Sequence, residues 1–202
     1  MQKTAATTNK HLAISMLALT ALGFIVACSS IGKPRQFHPR PTDLSNACNI
    51  LNNDSSWYQA FDKTFKKYGV PPHVIMAIIY KESTYRHDAL SKSMAYGYAQ
   101  AKDATWKWYQ NKTGHHRAKR DVFTDAVDFI GWYLVENQKR TGISKWDARE
   151  QYLAYHEGTG GYLKATYNEK PWLLEISDQV DLLAKTYRRQ LASCYTYPQL
   201  DL

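Results

Sequence analysis

The chain has 202 residues, 44% of them hydrophobic and 22% charged, and a formal charge of +8. Length and composition are those of one ordinary globular domain, with or without a tail, that can bury its core without staples. The basic balance favours a polyanionic partner (nucleic acid, anionic lipid or an acidic wall polymer) and does not choose among them.

Residues 1–27 read as an export signal: Lys3 and Lys10 supply the positive start, and Leu12 to Ala27 is uncharged and mostly apolar. The apolar run falls short of the roughly 20 residues that a bilayer span needs, so a transmembrane anchor is the weaker reading. It ends Ile25-Val26-Ala27-Cys28-Ser29. This resembles the lipobox of bacterial lipoproteins, and the resemblance implies cleavage before Cys28 and lipidation of that residue. Several acyl chains together give stable anchoring where one is marginal. Ser29 after the lipidated position, in place of Asp, implies the periplasmic face of the outer membrane. Removing the signal takes away Lys3 and Lys10 and no acidic residue, so the mature chain stays basic. Export also takes the chain away from nucleic acid. The expected partners are then the membrane, through the lipid, and the cell wall, with membership of an envelope machine left open.

Residues 28–46 hold Pro34, Pro39 and Pro41 among Lys33, Arg35 and Arg40. They read as a tether with little to bury, the alternative being an arm packed on the domain. Residues 47–202 form the expected folded domain, and its pattern is helical throughout. One helix runs from Ser55 to about Lys67, and a second opens at Pro71-Pro72 and ends near Ser83. A third starts near Asp103, a fourth spans Asp121 to about Arg140, a fifth about Asp147 to His156, and a last about Trp172 to Ala192. No convincing strand pattern appears, so the class is mainly α. Cys48 and Cys194 bracket this domain, and an oxidising compartment favours a disulfide between them over two free thiols. Neither has metal-ligand spacing to a histidine, so no metal site is expected. Gly158-Thr159-Gly160-Gly161 lacks the Lys-Ser/Thr of a phosphate loop.

The second helix is apolar nearly all round, and Ile75, Ile78, Ile79 and Glu82 share one face at helical spacing. Glu82 thus continues a buried stripe in a last turn that faces the negative end of the helix dipole. Both effects raise a carboxyl pKa, and an acid protonated near neutral pH can donate to a glycosidic oxygen. A structural Glu82–Arg86 pair is the alternative.

The stretch from Glu82 to Gln100 resembles the signature of the soluble lytic transglycosylase domain: Glu-Ser, a short turn, then A-x-S-x-x-G-A-x-G-x-x-Q. Glu82, Ser83, Ala89, Ser91, Ala95, Gly97 and Gln100 stand at the matching offsets. A second motif of that family, A-Y-N-x-G, is matched by Ala154, Tyr155 and Gly158. The resemblance covers roughly residues 57–190 and implies a lysozyme-like fold with a long cleft for a peptidoglycan strand. It implies a lytic transglycosylase, without metal or organic cofactor, that cuts between N-acetylmuramic acid and N-acetylglucosamine and leaves 1,6-anhydro ends. Glu82 is then the general acid and base. Ser83 helps orient substrate, and Gly97, Tyr98 and Gln100 line the cleft, with Gly97 letting backbone approach the sugar. Tyr155 brings its hydroxyl near Glu82. Met94 stands where the first glycine is usual, which puts the local turn in question. Tyr98-Ala99 and His156-Glu157 also depart from the pattern, and they open a charged role for His156 or Glu157. The rival readings are a lysozyme-like muramidase that uses water and a silent peptidoglycan-binding lipoprotein. Asp125 and Asp128 are candidates for a second acid, with a helix start and a solvated face as the plainer reading. The loop His115-His116-Arg117 reads as a solvated basic loop, and Trp106, Trp108 and Trp132 as core, one of them a candidate subsite floor.

Overall fold

A computed structural model describes residues 39–198. The expected signal segment 1–27, Cys28 and the first part of the tether lie outside them. The described chain is helical: α1 Ala47–Leu51, α2 Ser55–Tyr68, α3 Pro72–Ser83, α4 Asp103–Thr113, α5 Phe123–Thr141, α6 Ala148–Leu163, a 3-10 turn Thr166–Glu169, and α7 Pro171–Leu191. No strand occurs among the described residues, only the isolated bridges Leu90–Tyr96 and Tyr96–Ala101.

Local chemistry sets the boundaries. Asp54 caps α2 by accepting from the Ser56 N–H, and Gly69 ends it in the left-handed region. Pro72 opens α3, where its missing N–H is no loss. The fourth expected helix begins two residues later than predicted, at Phe123. The fifth runs beyond His156: Gly158 breaks the helical path at φ 70°, ψ 159°, and helix resumes to Leu163.

Helix α3 is the central element and packs against α7, α2, α5 and α6. Val74 to Ile79 are all fully buried, as an all-round apolar sequence requires. Each large aliphatic side chain among them contributes about 2 kcal/mol of burial. Around it sits an aromatic core in which Trp57 stacks on Phe123 with ring centroids 3.6 Å apart. Helices α2 and α5 pack at Gly131, where a Cβ would lie 2.3 Å from the Thr64 methyl.

The expected tether is docked from Pro39 onward. Asn53 donates to the Pro39 carbonyl at 3.0 Å and Arg40 Nε to the Thr84 carbonyl at 2.6 Å. Tyr187 donates to the Leu44 carbonyl at 2.5 Å, and Gln190 to that of Ser45 at 2.9 Å. These bonds place residues 39–46 on the domain as a packed arm. Cys48 and Cys194 form the disulfide, their Cα atoms 5.9 Å apart across 146 residues of sequence. A loop of that length is worth about 5 kcal/mol in the chain-entropy picture.

Candidate active site

Helix α3 ends abruptly just beyond Glu82. Thr84 caps it at φ 49° and Tyr85 follows at φ 61°, both non-glycine residues in the left-handed region. Such paired strain persists only where the surroundings over-determine it. Here Tyr85 is buried, stacks on Trp57 and donates its hydroxyl to the Met76 carbonyl at 3.0 Å. Arg40 holds the Thr84 carbonyl from outside. The reversal leaves Glu82 on the wall of a cavity of about 440 Å³, lined among others by Ser91, Ser93, Gln100, Lys102, Tyr133, Tyr155, His156 and Gly158. Among the described residues that line it, Glu82 is the single carboxylate.

Burial pushes the Glu82 carboxyl up from its ordinary value of 4.5 to about 7, against the pull of a hydrogen bond from Tyr152 and the charge of Lys81. Glu82 therefore exchanges its proton near neutral pH, as a group acting in turn as acid and base requires. The rivalry with Arg86 is absent from the geometry: Arg86 is exposed and its Nε donates to the Ser83 carbonyl at 3.4 Å.

The loop after α3 passes through the left-handed region at Met94. Met94 holds φ 65°, the conformation that a glycine would adopt freely. Gly97, at φ 77°, has a different task from the one expected of it. A Cβ there would lie 2.1 Å from the Arg120 carbonyl oxygen, so the glycine admits the Arg120 backbone. Tyr98 is buried and meets Trp57 and Phe123 edge-on, so it belongs to the core and not to the cavity wall. Ser83 is buried too, its hydroxyl donating to the Ile79 carbonyl at 3.2 Å, and it does not line the cavity. Gln100 does line it, while its amide donates to the Ala89 and Gly97 carbonyls at 2.8 and 3.0 Å and ties the loop to itself.

Tyr155 lines the cavity, yet its hydroxyl donates to the Ala99 carbonyl at 2.6 Å. The tyrosine bonded to Glu82 is Tyr152, one turn earlier on α6. Burial, then the Glu82 charge, hold both phenols well above their ordinary pKa, so they stay neutral donors. Tyr152 and Tyr155 stand three residues apart, a spacing that puts two side chains on one helix face. That spacing was the available signal for Tyr152.

The remaining candidates fall elsewhere. Glu157 is an anion holding the end of α6: burial would raise its pKa, but hydrogen bonds from Lys170, Thr166 and His156 bring it down to about 2. Lys170 Nζ lies 2.7 and 2.8 Å from its two oxygens, and His156 Nδ1 3.0 Å from one. Asp128 accepts from Lys67 at 3.0 Å, Tyr109 at 2.7 Å and Tyr68 at 3.3 Å, with His115 at 3.2 Å, a structural node outside the cavity. Asp125 accepts from the Lys119 N–H at 2.8 Å and lines a separate depression with His115, His116 and Arg117. Trp106 and Trp132 are core, while Trp108 packs on Trp132 under the Arg140 guanidinium; none floors the cavity. No group of three or more histidine, cysteine or acidic side chains among the described residues is placed to hold a metal.

The domain is helical and lysozyme-like in architecture, with one carboxyl of near-neutral pKa on the cavity wall among the described residues. The transglycosylase SLT domain pattern matches residues 16–194, and the chain belongs to that family. Membership carries peptidoglycan cleavage of the lytic transglycosylase type at the level of the family. No curated protein matches the chain.

Proposed function

We propose that this chain cleaves the β-1,4 bond between N-acetylmuramic acid and N-acetylglucosamine without consuming water, with Glu82 as its one acid and base. The observation that carries the reading is that Glu82 is the one carboxylate among the described cavity-lining residues and that burial raises its pKa to about 7. Most glycosidases use two carboxylates. A single one suffices when the nucleophile belongs to the substrate. Protonated Glu82 gives its proton to the bridging oxygen as the C1–O bond breaks, and the muramoyl acetamido group steadies the oxocarbenium-like centre. The carboxylate, oriented by the Tyr152 hydrogen bond, then takes the proton of the muramoyl 6-hydroxyl as O6 bonds to C1. Glu82 ends protonated, ready for another turn, and the product is the 1,6-anhydro sugar.

The test incubates the full chain, with and without Glu82→Gln, with purified sacculi and reads the released fragments by mass spectrometry. Anhydro ends from the wild type and at least about a hundredfold less release from the variant support the reading. Reducing ends would identify a water-using muramidase. Equal release from both would exclude Glu82, and bound but uncut sacculi would favour a silent binding lipoprotein.

The same reading puts the domain on the periplasmic face of the outer membrane, held through lipid on Cys28 and the segment leading to Pro39. The lipobox-like run Ile25-Val26-Ala27-Cys28 supports it. Cys28→Ser should move the chain from the membrane to the soluble fraction; retention in the outer membrane would refute lipid anchoring at that residue.

A further inference from the structure

We infer that Trp172, with His156, forms an outer sugar subsite that receives a further N-acetylhexosamine of the strand as it leaves the Glu82 cavity; this rests on the glycan-cleaving reading above. Two tryptophans are exposed among the described residues, Trp146 at 41% and Trp172 at 51%. Trp146 is accounted for by packing, since Phe65, His73 and Tyr197 surround its ring and Arg188 lies over it. Among the described residues Trp172 has one ring neighbour, His156, at 5.2 Å between centroids and 78° between planes. His156 in turn lines the cavity that contains Glu82. The exposed indole thus stands against a residue of the cavity wall.

The platform is built on one anion. Glu157 accepts from His156 on α6 and from Lys170, two residues before Trp172, and also bonds Thr166. One carboxylate therefore fixes both the imidazole and the start of α7 that carries the indole. Its low pKa keeps it ionised throughout the working range. With Nδ1 committed to Glu157, the imidazole has Nε2 left for a ligand. A pre-set aromatic face beside a polar ring suits a pyranose, whose C–H face stacks while a hydroxyl or acetamido group takes the hydrogen bond.

The test measures binding of N-acetylglucosamine oligomers, from disaccharide to hexasaccharide, to the full chain carrying Glu82→Gln, alone and combined with Trp172→Ala or Trp172→Phe. Loss of the indole should weaken the long oligomer about tenfold. A disaccharide seated at Glu82 and clear of the indole should bind alike with and without Trp172, and phenylalanine should restore most of the affinity lost by the long oligomer. Equal loss at every length would mean a structural disturbance, and no loss at any length would take the strand elsewhere; either overturns the subsite while leaving the Glu82 reading intact. Failure of the chain with Trp172 intact to bind any oligomer would sink the glycan reading, and the subsite with it.

Discussion

The Tyr152 hydroxyl donates to the Glu82 carboxyl from the facing helix, while Tyr155, one turn on, gives its hydroxyl to the Ala99 carbonyl. The first bond favours the ionised carboxylate and opposes the effect of burial. The reaction starts from protonated Glu82, so kcat/KM should be full below pH about 7 and fall above it. Tyr152→Phe removes the donor that favours ionisation, so the falling limb should move to higher pH. The carboxylate also loses its orientation, and kcat should drop on the order of tenfold. A pH–rate series on sacculi checks both; an unmoved limb would mean that the bond does not act on the reacting carboxyl.

The raised pKa of Glu82 is also a stability statement. Its carboxyl titrates at 4.5 when unfolded and about 7 when folded, so the folded state holds the proton more tightly. Below pH 4.5 both states are protonated and burial of the acid exacts no ionisation cost. As pH rises through 7 that cost appears in full, on the order of 3 kcal/mol. Glu82→Gln should therefore be more stable than the wild type above pH 7 and nearly equal to it below pH 4.5. Urea unfolding at the two extremes measures the difference, and a gap independent of pH would show that the gain has another source.

Much of this arrangement is legible in the sequence because it obeys short-range rules. The all-round apolar run Val74 to Ile79 can only be a buried helix, and Glu82 on its stripe inherits the desolvation. What the spacing cannot carry is the direction in which a loop side chain points. Gly97, Tyr98 and Gln100 share one motif. Yet Gly97 admits Arg120, Tyr98 enters the core, and Gln100 alone reaches the cavity. Those outcomes depend on where the 115–122 segment passes, a long-range contact that no local pattern encodes. The arm 39–46 is a similar case. Its prolines read as a free tether, but Tyr187 and Gln190 from the far end of the chain supply partners for its carbonyls. Helix α1 is five residues long, too short for a period to show.

Gly97 offers a sharp packing test. An alanine there would face both φ 77° and a carbonyl oxygen 2.1 Å from its Cβ, and the obstacle is backbone that cannot rotate away. Gly97→Ala should destabilise the domain by roughly 3 kcal/mol or more, combining left-handed strain with overpacking. Gly142→Ala is the control: it shares φ 80° but has open space around the new methyl, so it should lose only about 1 kcal/mol. Equal losses would assign the whole effect to backbone conformation. Activity should fall with Gly97→Ala even at temperatures where the fold survives, because the same loop carries Gln100 to the cavity.

Glu157 makes the opposite acid-side prediction to Glu82. Its carboxyl titrates at 4.5 when unfolded and about 2 in the folded chain, so the native state releases the proton more readily. Its contribution is present above pH 4.5 and is lost as pH falls toward 2, on the order of 3 kcal/mol across that window. Glu157→Gln keeps the shape but gives up the charge that binds Lys170 at 2.7 Å. The variant should be less stable than the wild type at neutral pH, and the two should converge as pH approaches 2. Because Glu157 also holds His156 and the start of α7, the variant should lose affinity for long oligomers under neutral conditions where it is still fully folded. Thermal unfolding across the acid range, then oligomer binding at neutral pH, separates the two effects. A stability gap that persists undiminished at pH 2 would mean that the carboxylate stabilises the fold through its shape and not its charge.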